Sequence, residues 1–152
     1  MSIIRVDISD MKTVKYITTE TINSIYPHYY PEGAVDFFLG HHNDKNIEND
    51  IRVGIVYLCF DNENNAVGTV TVKENEICRL FVLPEYQGNG YGKELISFAE
   101  NKISEKYNEI ILHASLPAKA IYLKKGYKEL EFHSIKTENG DYLCYDMMIK
   151  QI

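Results

Sequence analysis

The sequence predicts an α/β fold, with a mixed, mostly antiparallel sheet and helices on both faces, in a single domain of residues 1–152. Strand-like and helix-like patterns alternate in the order strand, two helices, three strands, helix, strand, helix and two strands. Short polar turns join several neighbouring strands, as in antiparallel hairpins. One helix separates two strands between residues 76 and 114, and such a crossover joins parallel neighbours.

The N-terminal part predicts one strand and two helices. Residues 2–7 alternate as a short strand. Residues 10–25 have helical spacing, and Asp10 is a suitable N-cap residue. Two prolines and a glycine in YPHYYPEG interrupt the helix, and the aromatic-rich residues 34–42 predict a second, shorter one.

Three strands form the middle of the chain, at residues 52–61, 66–73 and 76–83. The first two are separated by the turn NENN, which favours an antiparallel pair. Pro84 ends the third strand because proline has no N–H group to donate to a ladder.

The C-terminal part begins with a helix over residues 91–106, whose apolar positions recur as one stripe: Leu95, Ile96, Ala99 and Ile103. Residues 108–114 are nearly all apolar, as expected of a central strand. A short helix follows at residues 117–125, and residues 127–136 and 142–150 predict a closing hairpin. Between the two parallel strands we expect the sheet to splay into a cleft.

Composition excludes several classes of protein. The net charge of −6 argues against nonspecific binding of nucleic acid, which needs a basic face. No apolar run reaches the roughly 18 residues of a membrane helix, and the N-terminus lacks the pattern of a signal peptide. We therefore expect a cytoplasmic protein with no membrane or nucleic-acid partner.

The cysteines are Cys59, Cys78 and Cys144. Their odd number and wide spacing indicate neither a disulfide framework nor a metal site, and we expect no bound metal. All three lie in apolar runs, so we predict that they are small buried side chains.

A glycine-rich stretch, LPEYQGNGYGK, lies between a predicted strand and a predicted helix. It is not a nucleoside-triphosphate loop, because only three residues separate Gly88 from Gly92 and Lys93 is followed by Glu94. It is not a dinucleotide fingerprint either, since Lys93 stands where the third glycine belongs. Glycines before a helix N-terminus still form a socket of backbone N–H groups for a pyrophosphate, with Lys93 at its rim.

Two motifs make the chain resemble the GNAT family of acetyl-coenzyme A dependent N-acetyltransferases. The family's Q/R-x-x-G-x-G/A pattern is matched by Gln87, Gly88, Asn89, Gly90, Tyr91 and Gly92. LFVLP at residues 80–84 resembles the family's L-x-V-x-P strand end, and AKAIYLKKGY at residues 118–127 resembles its A-x-x-x-Y-x-x-x-G-F/Y segment. The order of elements also matches, from about residue 3 to about residue 150.

The resemblance implies acetyl-CoA as the acetyl donor. Its pyrophosphate would bind the loop from Gln87 to Lys93, and its pantetheine arm would pair with the strand edge formed by Leu80, Phe81 and Val82. Many members carry an asparagine seven residues before the tyrosine of the second motif. This chain has Ser115 there, a hydrogen-bonding side chain with a shorter reach.

The resemblance also implies direct attack of a primary amine, from a small molecule or a protein, on the thioester. Tyr122 occupies the position of the tyrosine general acid, with water as the rival proton donor. The main-chain amide of Phe81 or Val82 would stabilise the oxyanion. Glu76, eleven residues before Gln87, corresponds to the glutamate base of the histone-acetylating branch.

The acceptor pocket is expected near the N-terminal helices, with Tyr29, Tyr30 and Phe37 in its wall. The alternatives to Glu76 as the base are His28, His41 and His42. His113 lies in an apolar run and is predicted to be a core histidine.

The net acidity and the tyrosine-rich segment favour a small cationic or aromatic amine. Two other classes of function stay open: a non-catalytic acyl-CoA-binding sensor or scaffold, and a nucleotide-dependent phosphotransferase. The closing hairpin would allow pairing into a homodimer.

Overall fold

The computed structural model describes residues 1–152 and contains one seven-stranded sheet in the order β1-β2-β3-β4-β5-β7-β6. The strands are β1 (Ser2–Arg5), β2 (Val56–Phe60), β3 (Ala66–Lys73), β4 (Glu76–Val82), β5 (Glu109–Ala114), β6 (Lys128–Lys136) and β7 (Tyr142–Gln151). The helices are α1 (Met11–Ile25), α2 (Glu32–His41), α3 (Asp44–Arg52), α4 (Tyr91–Ser104) and α5 (Leu116–Lys124).

The sheet has one parallel contact, between β4 and β5, where α4 provides the crossover. The other five neighbouring pairs are antiparallel. The prediction of a mixed, mostly antiparallel sheet is therefore confirmed.

Helices cover both faces of the sheet. One buried cluster joins α4 and Tyr122 of α5 to the sheet, and the predicted stripe of α4 is buried within it: Leu95, Ile96, Ala99 and Ile103. The other cluster joins α1, α2 and α3 to the opposite face, where Ile17, Ile47 and Phe81 meet. No helix is long and apolar enough to cross a membrane.

The structure contains a third N-terminal helix that the sequence analysis missed. Residues 44–52 form α3, whose start is capped by the Asn43 side chain, which accepts a hydrogen bond from the N–H of Asn46 at 2.9 Å. Only Ile47 and Ile51 of this helix are buried, so its apolar pattern is too sparse to stand out among polar residues. As a result, the predicted strand at residues 52–61 began too early, and β2 begins at Val56.

The start of α1 differs from the prediction as well. Asp10 precedes the helix but makes no side-chain capping bond. Instead, Asp7 caps a preceding 3₁₀ turn by accepting from the N–H of Ser9 at 2.8 Å, and Asp10 accepts from the N–H of Asp7 at 3.2 Å. The capping box therefore stabilises the turn rather than the α-helix.

Burial of the cysteines was predicted correctly for only one of the three. Cys59 is buried, Cys144 is half-buried and Cys78 is exposed. Cys78 is exposed because it is the extra residue of a bulge in β4, where the pairing with β3 shifts by one residue.

Close packing between β3 and α4 leads to a stability prediction. A Cβ atom at Gly68 would lie 2.9 Å from the backbone oxygen of Phe81 and 2.9 Å from Cδ1 of Leu95. Because the backbone oxygen cannot move aside, we expect Gly68→Ala to lower the free energy of unfolding by about 1–3 kcal/mol in urea denaturation.

The matched control is Gly40→Ala in α2. A Cβ atom there meets nothing within 4 Å, so the substitution gains helix propensity, about 0.5–1 kcal/mol. Equal effects of the two substitutions would contradict the packing described for β3.

Candidate active site

Strands β4 and β5 separate after only two paired positions. Glu76 pairs with Ile111 and Ile77 with Leu112, and no later residue of β4 pairs with β5. On the other side of β4, the register with β3 passes from Thr71–Arg79 to Val72–Ile77, which leaves Cys78 as an extra residue. Such a bulge bends and twists its strand, and here it turns the rest of β4 away from β5.

The gap exposes particular backbone groups of β4. The N–H of Leu83 donates to the carbonyl of Val67 at 2.9 Å. Along an antiparallel ladder, every second residue directs its N–H and C=O groups to the neighbouring strand, and the residues between direct theirs to the other side. The N–H groups of Leu80 and Val82 therefore face the gap, and that of Phe81 faces β3. The sequence analysis named Phe81 or Val82 for the oxyanion amide, and the register excludes Phe81.

The glycine loop follows the open end of β4. Gly88 and Gly90 have φ angles of +80° and +90°, a left-handed conformation that favours glycine. Glu94 is the first residue of α4 to donate back into the loop, to the carbonyl of Gly90 at 3.1 Å. The N–H groups of residues 91–93 have no partner within the helix, so they are free to donate to a ligand beside the loop.

Side chains hold the loop against β4. Gln87 donates from Nε2 to the carbonyl oxygen of Val82 at 2.9 Å, and Thr21 of α1 donates to the same oxygen at 3.3 Å. Asn89 donates to the carbonyl of Tyr86 at 3.2 Å. The motif residues Gln87 and Asn89 therefore shape the loop rather than pointing freely into solvent.

Two cavities flank the gap. The loop cavity, of about 380 Å³, lies between the glycine loop, α4 and α5, and its lining includes Gln87, Gly88, Gly90, Gly92 and Lys93. The helix cavity, of about 710 Å³, lies between α2, α3 and the sheet, and its lining includes Phe37, Asp50, Glu76, Arg79, His113 and Tyr145. Six residues line both cavities: Tyr26, Leu80, Phe81, Ser115, Ala118 and Tyr122. The two cavities therefore meet at the gap.

Tyr122 lies at this meeting point. It is the only buried residue of α5 and packs edge-to-face on Tyr127, with ring centroids 5.5 Å apart. Burial raises the pKa of the Tyr122 phenol, and the nearby Tyr26 raises it further. The hydroxyl is therefore protonated throughout the neutral pH range.

Glu76 and His113 form a pair beside the two paired positions of β4 and β5. Nδ1 of His113 lies 3.0 Å from Oε1 of Glu76, and both residues line the helix cavity. The hydrogen bond that His113 makes to the Glu76 carboxylate raises the pKa of His113, against the opposing effect of burial. The prediction of a core histidine was wrong, because the His113 side chain is 43% exposed at the splayed edge of the sheet.

A buried arginine also lines the helix cavity. Arg79 of β4 is 3% exposed and forms an ion pair with Oδ2 of Asp50 of α3 at 3.0 Å. Its guanidinium also donates to Thr71 at 2.9 Å and to Nδ1 of His42 at 3.3 Å. One charged side chain thus joins two strands to the segment from α2 to α3.

The histidines proposed as alternative bases occupy different environments. His42 is buried, and burial together with the charge of Arg79 lowers its pKa to about 3. Because its Nδ1 accepts from Arg79, the neutral ring carries its proton on Nε2 and has no free lone pair. His41 lines the helix cavity, whereas exposed His28 lines neither cavity.

The predicted acceptor residues are not all brought together. Phe37 lines the helix cavity, but Tyr29 is 52% exposed and lines neither cavity. Tyr30 is buried, with its hydroxyl bonded to the backbone rather than open to a cavity. Tyr26 lines the helix cavity, where Tyr29 and Tyr30 were predicted to lie.

Sequence reasoning missed Arg79, Asp50 and Tyr26 as lining residues. A signal was present for Arg79, since it is a charged residue inside the otherwise apolar run ICRLFVL. The position of Asp50 could not be found without recognising α3. Tyr26 could not be distinguished from Tyr29 and Tyr30, because the turn that orients them has no regular period.

The family model described as an acetyltransferase (GNAT) domain matches residues 25–148. The fold is thus that of an acetyltransferase domain, and the chain belongs to the GNAT family. The match confirms the resemblance drawn from the motifs, for a family whose acetyl donor is acetyl-CoA. A comparison with curated proteins finds no significant match.

Solved structures support the fold at low sequence identity. A GCN5-related N-acetyltransferase structure from Rhodopseudomonas palustris, also described as a class-II aminotransferase, has a TM-score of 0.89 at 19% identity, covering 99% of this chain and 95% of that one. PaiA N-acetyltransferase of Thermoplasma acidophilum, in complex with coenzyme A, has a TM-score of 0.74 at 20% identity, covering 99% and 98%. Naa50 of Arabidopsis thaliana, with the bisubstrate analogue CoA-Ac-MVNAL, has a TM-score of 0.70 at 23% identity, covering 99% and 98%.

Proposed function

We propose that the chain transfers the acetyl group of acetyl-CoA to a primary amine by direct attack, with both substrates bound together. The observation that carries this proposal is that the loop cavity and the helix cavity meet at the gap between β4 and β5. A donor in one cavity and an amine in the other would be joined there without a covalent enzyme intermediate.

The loop cavity suits the donor. Its glycine loop and the N-terminus of α4 offer backbone N–H groups to the pyrophosphate, and Lys93 adds a positive charge at the rim. The unpaired edge of β4, with Ser115 opposite it, suits the amides of the pantetheine arm. Bound acetyl-CoA would supply an activated acetyl group as a thioester.

The backbone of β4 would stabilise the negative charge that develops on the acetyl oxygen. The N–H groups of Leu80 and Val82 face the gap, and a fixed donor of this kind contributes about 3 kcal/mol to the stabilisation of such a charge. Because the bulge at Cys78 fixes their direction, these donors are in place before the substrates bind.

Tyr122 is proposed to be the general acid. Its raised pKa keeps the phenol protonated, so it can give its proton to the departing thiolate of coenzyme A. Its position in the lining of both cavities supports this role, because the thiolate leaves at their junction.

Glu76 and His113 are proposed to act together as the base. The carboxylate of Glu76 holds Nδ1 of His113 and leaves Nε2 of the neutral ring free. Nε2 would take a proton from the ammonium group of the acceptor, and the neutral amine would then attack the thioester. His113 therefore joins Glu76, which the sequence analysis named alone.

The lining of the helix cavity limits the choice of amine. Its acidic residues, Asp50 and Glu76, are balanced by Lys73 and Arg79, so it lacks the negative excess that would attract a polycation. Aromatic rings cover one side, where Tyr26 and Phe38 pack with centroids 4.7 Å apart. We propose that the acetyl acceptor is a small-molecule or peptide amine that carries an apolar group next to the nitrogen.

We further propose that residues 1–152 form one catalytic domain. Strand β6 ends the sheet and pairs with β7 only, so its outer edge could pair with a second copy in a homodimer. Light scattering of the purified chain would distinguish a monomer from a dimer.

Replacing Tyr122 by phenylalanine tests both the reaction and the acid. With acetyl-CoA and a panel of small amines and peptides, we expect the wild type to release free thiol and to form an acetylated amine. Tyr122→Phe should lower kcat by about 10²- to 10⁴-fold, with little change in the dissociation constant of coenzyme A.

Tyr16→Phe, an exposed tyrosine on α1, serves as the control and should leave kcat unchanged. Unchanged turnover in Tyr122→Phe would show that water donates the proton. Binding of coenzyme A without acetylation of any amine would instead favour a sensor or scaffold domain.

The pH dependence of kcat/KM tests the base. His113 must lose its proton to act, so kcat/KM should rise with pH around a pKa above the ordinary 6.5. Glu76→Gln removes the carboxylate that favours the charged ring, so the inflection should move to lower pH while part of the activity survives. His113→Asn should abolish the inflection and lower kcat by about 10²- to 10⁴-fold.

The opposite result, full loss of activity in Glu76→Gln with an active His113→Asn, would assign the base to Glu76 alone.

The hydrogen bond between Glu76 and His113 also makes the free energy of unfolding depend on pH. Since the folded state raises the pKa of His113, its stabilising contribution is present at acid pH and is lost as the pH rises through the raised pKa.

A further inference from the structure

Tyr30, which lines neither cavity, makes two hydrogen bonds deep in the protein. Its hydroxyl accepts from the N–H of Leu116 at 2.7 Å and donates to the carbonyl of Cys144 at 3.0 Å. The residue is only 6% exposed, so water has little access to either bond. One phenol thus links the segment between α1 and α2 to the start of α5 and to β7.

The bond to Leu116 satisfies the one open donor at the N-terminus of α5. Ser115 precedes the helix but makes no side-chain cap, and Pro117 has no N–H group. Ala118 and Lys119 already donate to the carbonyl of Ser115, at 3.1 and 3.0 Å. Tyr30 therefore acts as the missing cap of this helix, from a distant part of the chain.

Helix α5 depends on few other anchors. Tyr122 is its only buried residue. Lys119 forms ion pairs with exposed Glu129 at 2.6 Å and with buried Asp146 at 2.9 Å. The lysine itself is half-exposed, so solvent weakens both pairs. The hydrogen bond from Leu116 to Tyr30 is thus the polar contact that fixes where the helix begins.

Tyr30 also contacts the wall of the helix cavity. Its ring packs on Tyr26 and Phe38, with centroids 5.6 and 5.1 Å apart, and Tyr26 lines both cavities. The same side chain therefore touches the residues that enclose the acceptor and caps the helix that carries Tyr122.

We propose that Tyr30 is a positioning residue for the acetyl transfer: its hydroxyl fixes α5 so that Tyr122 meets the leaving thiolate. This inference rests on the proposed role of Tyr122 as the acid. Tyr30 touches neither substrate, and its effect on the reaction passes through α5.

The test is a double-mutant cycle between Tyr30→Phe and Tyr122→Phe. Tyr30→Phe keeps the ring and removes both hydrogen bonds, and we expect it to lower kcat about tenfold or more with an unchanged dissociation constant for coenzyme A. In the Tyr122→Phe background the same change should lower kcat less than about twofold, because no acid is left to position. Equal losses in both backgrounds, or no loss in either, would overturn the proposal.

Lys119→Gln provides a second variant if Tyr30→Phe folds poorly. It removes the ion pairs that hold the same helix to β6 and β7, and its effect on kcat should also disappear in the Tyr122→Phe background. An effect of Lys119→Gln that is the same in both backgrounds would show that movement of α5 does not act through Tyr122, which overturns the proposal.

Hydrogen exchange separates this inference from the proposed function. In Tyr30→Phe, the amides of Leu116 and of residues 118–121 should exchange faster than in the wild type, and in Tyr16→Phe they should not. Unchanged exchange in Tyr30→Phe rejects the positioning role, whatever Tyr122 does. Faster exchange together with normal turnover in the single variant Tyr122→Phe rejects the acid role, and with it the catalytic purpose of positioning α5.

Discussion

The separation of β4 from β5 is the constraint on which the rest of the site depends. A sheet normally satisfies the N–H and C=O groups of an inner strand on both sides. Here β4 keeps two paired positions with β5 and then turns away at the bulge formed by Cys78. The open edge supplies backbone groups for a ligand, and the gap joins the two cavities.

A buried charge organises the wall of the helix cavity. Burying a guanidinium is costly, and an ion pair with one carboxylate rarely adds stability by itself. Arg79 bonds to Thr71 of β3, to His42 at the end of α2 and to Asp50 of α3. It therefore specifies how the short N-terminal helices lie on the sheet. Burial, together with the charge of Arg79, lowers the pKa of His42 and keeps its ring neutral, so the ring serves as a hydrogen-bond acceptor rather than a base.

The elements with strong periodicity or distinct turn chemistry were predictable from the sequence. The stripe of α4, the glycine loop and the order of the strands follow from residue patterns, and the family match agrees with them. Helix α3 was missed because only two of its side chains are buried. The pairing of Glu76 with His113 depends on the register of two strands distant in sequence, and no local pattern shows it.

Titration of the purified chain with coenzyme A tests most directly whether the loop beside the gap holds the donor. Gly90→Val places a β-branched residue at φ +90° beside the proposed pyrophosphate site, and Gly140→Val introduces the same strain at φ +88° in the distant hairpin turn. By calorimetry we expect Gly90→Val to raise the dissociation constant about 100-fold or more, because several charge-assisted hydrogen bonds are lost, and Gly140→Val to leave it unchanged. Equal affinities of the two variants, or no binding by the wild type, would contradict the account.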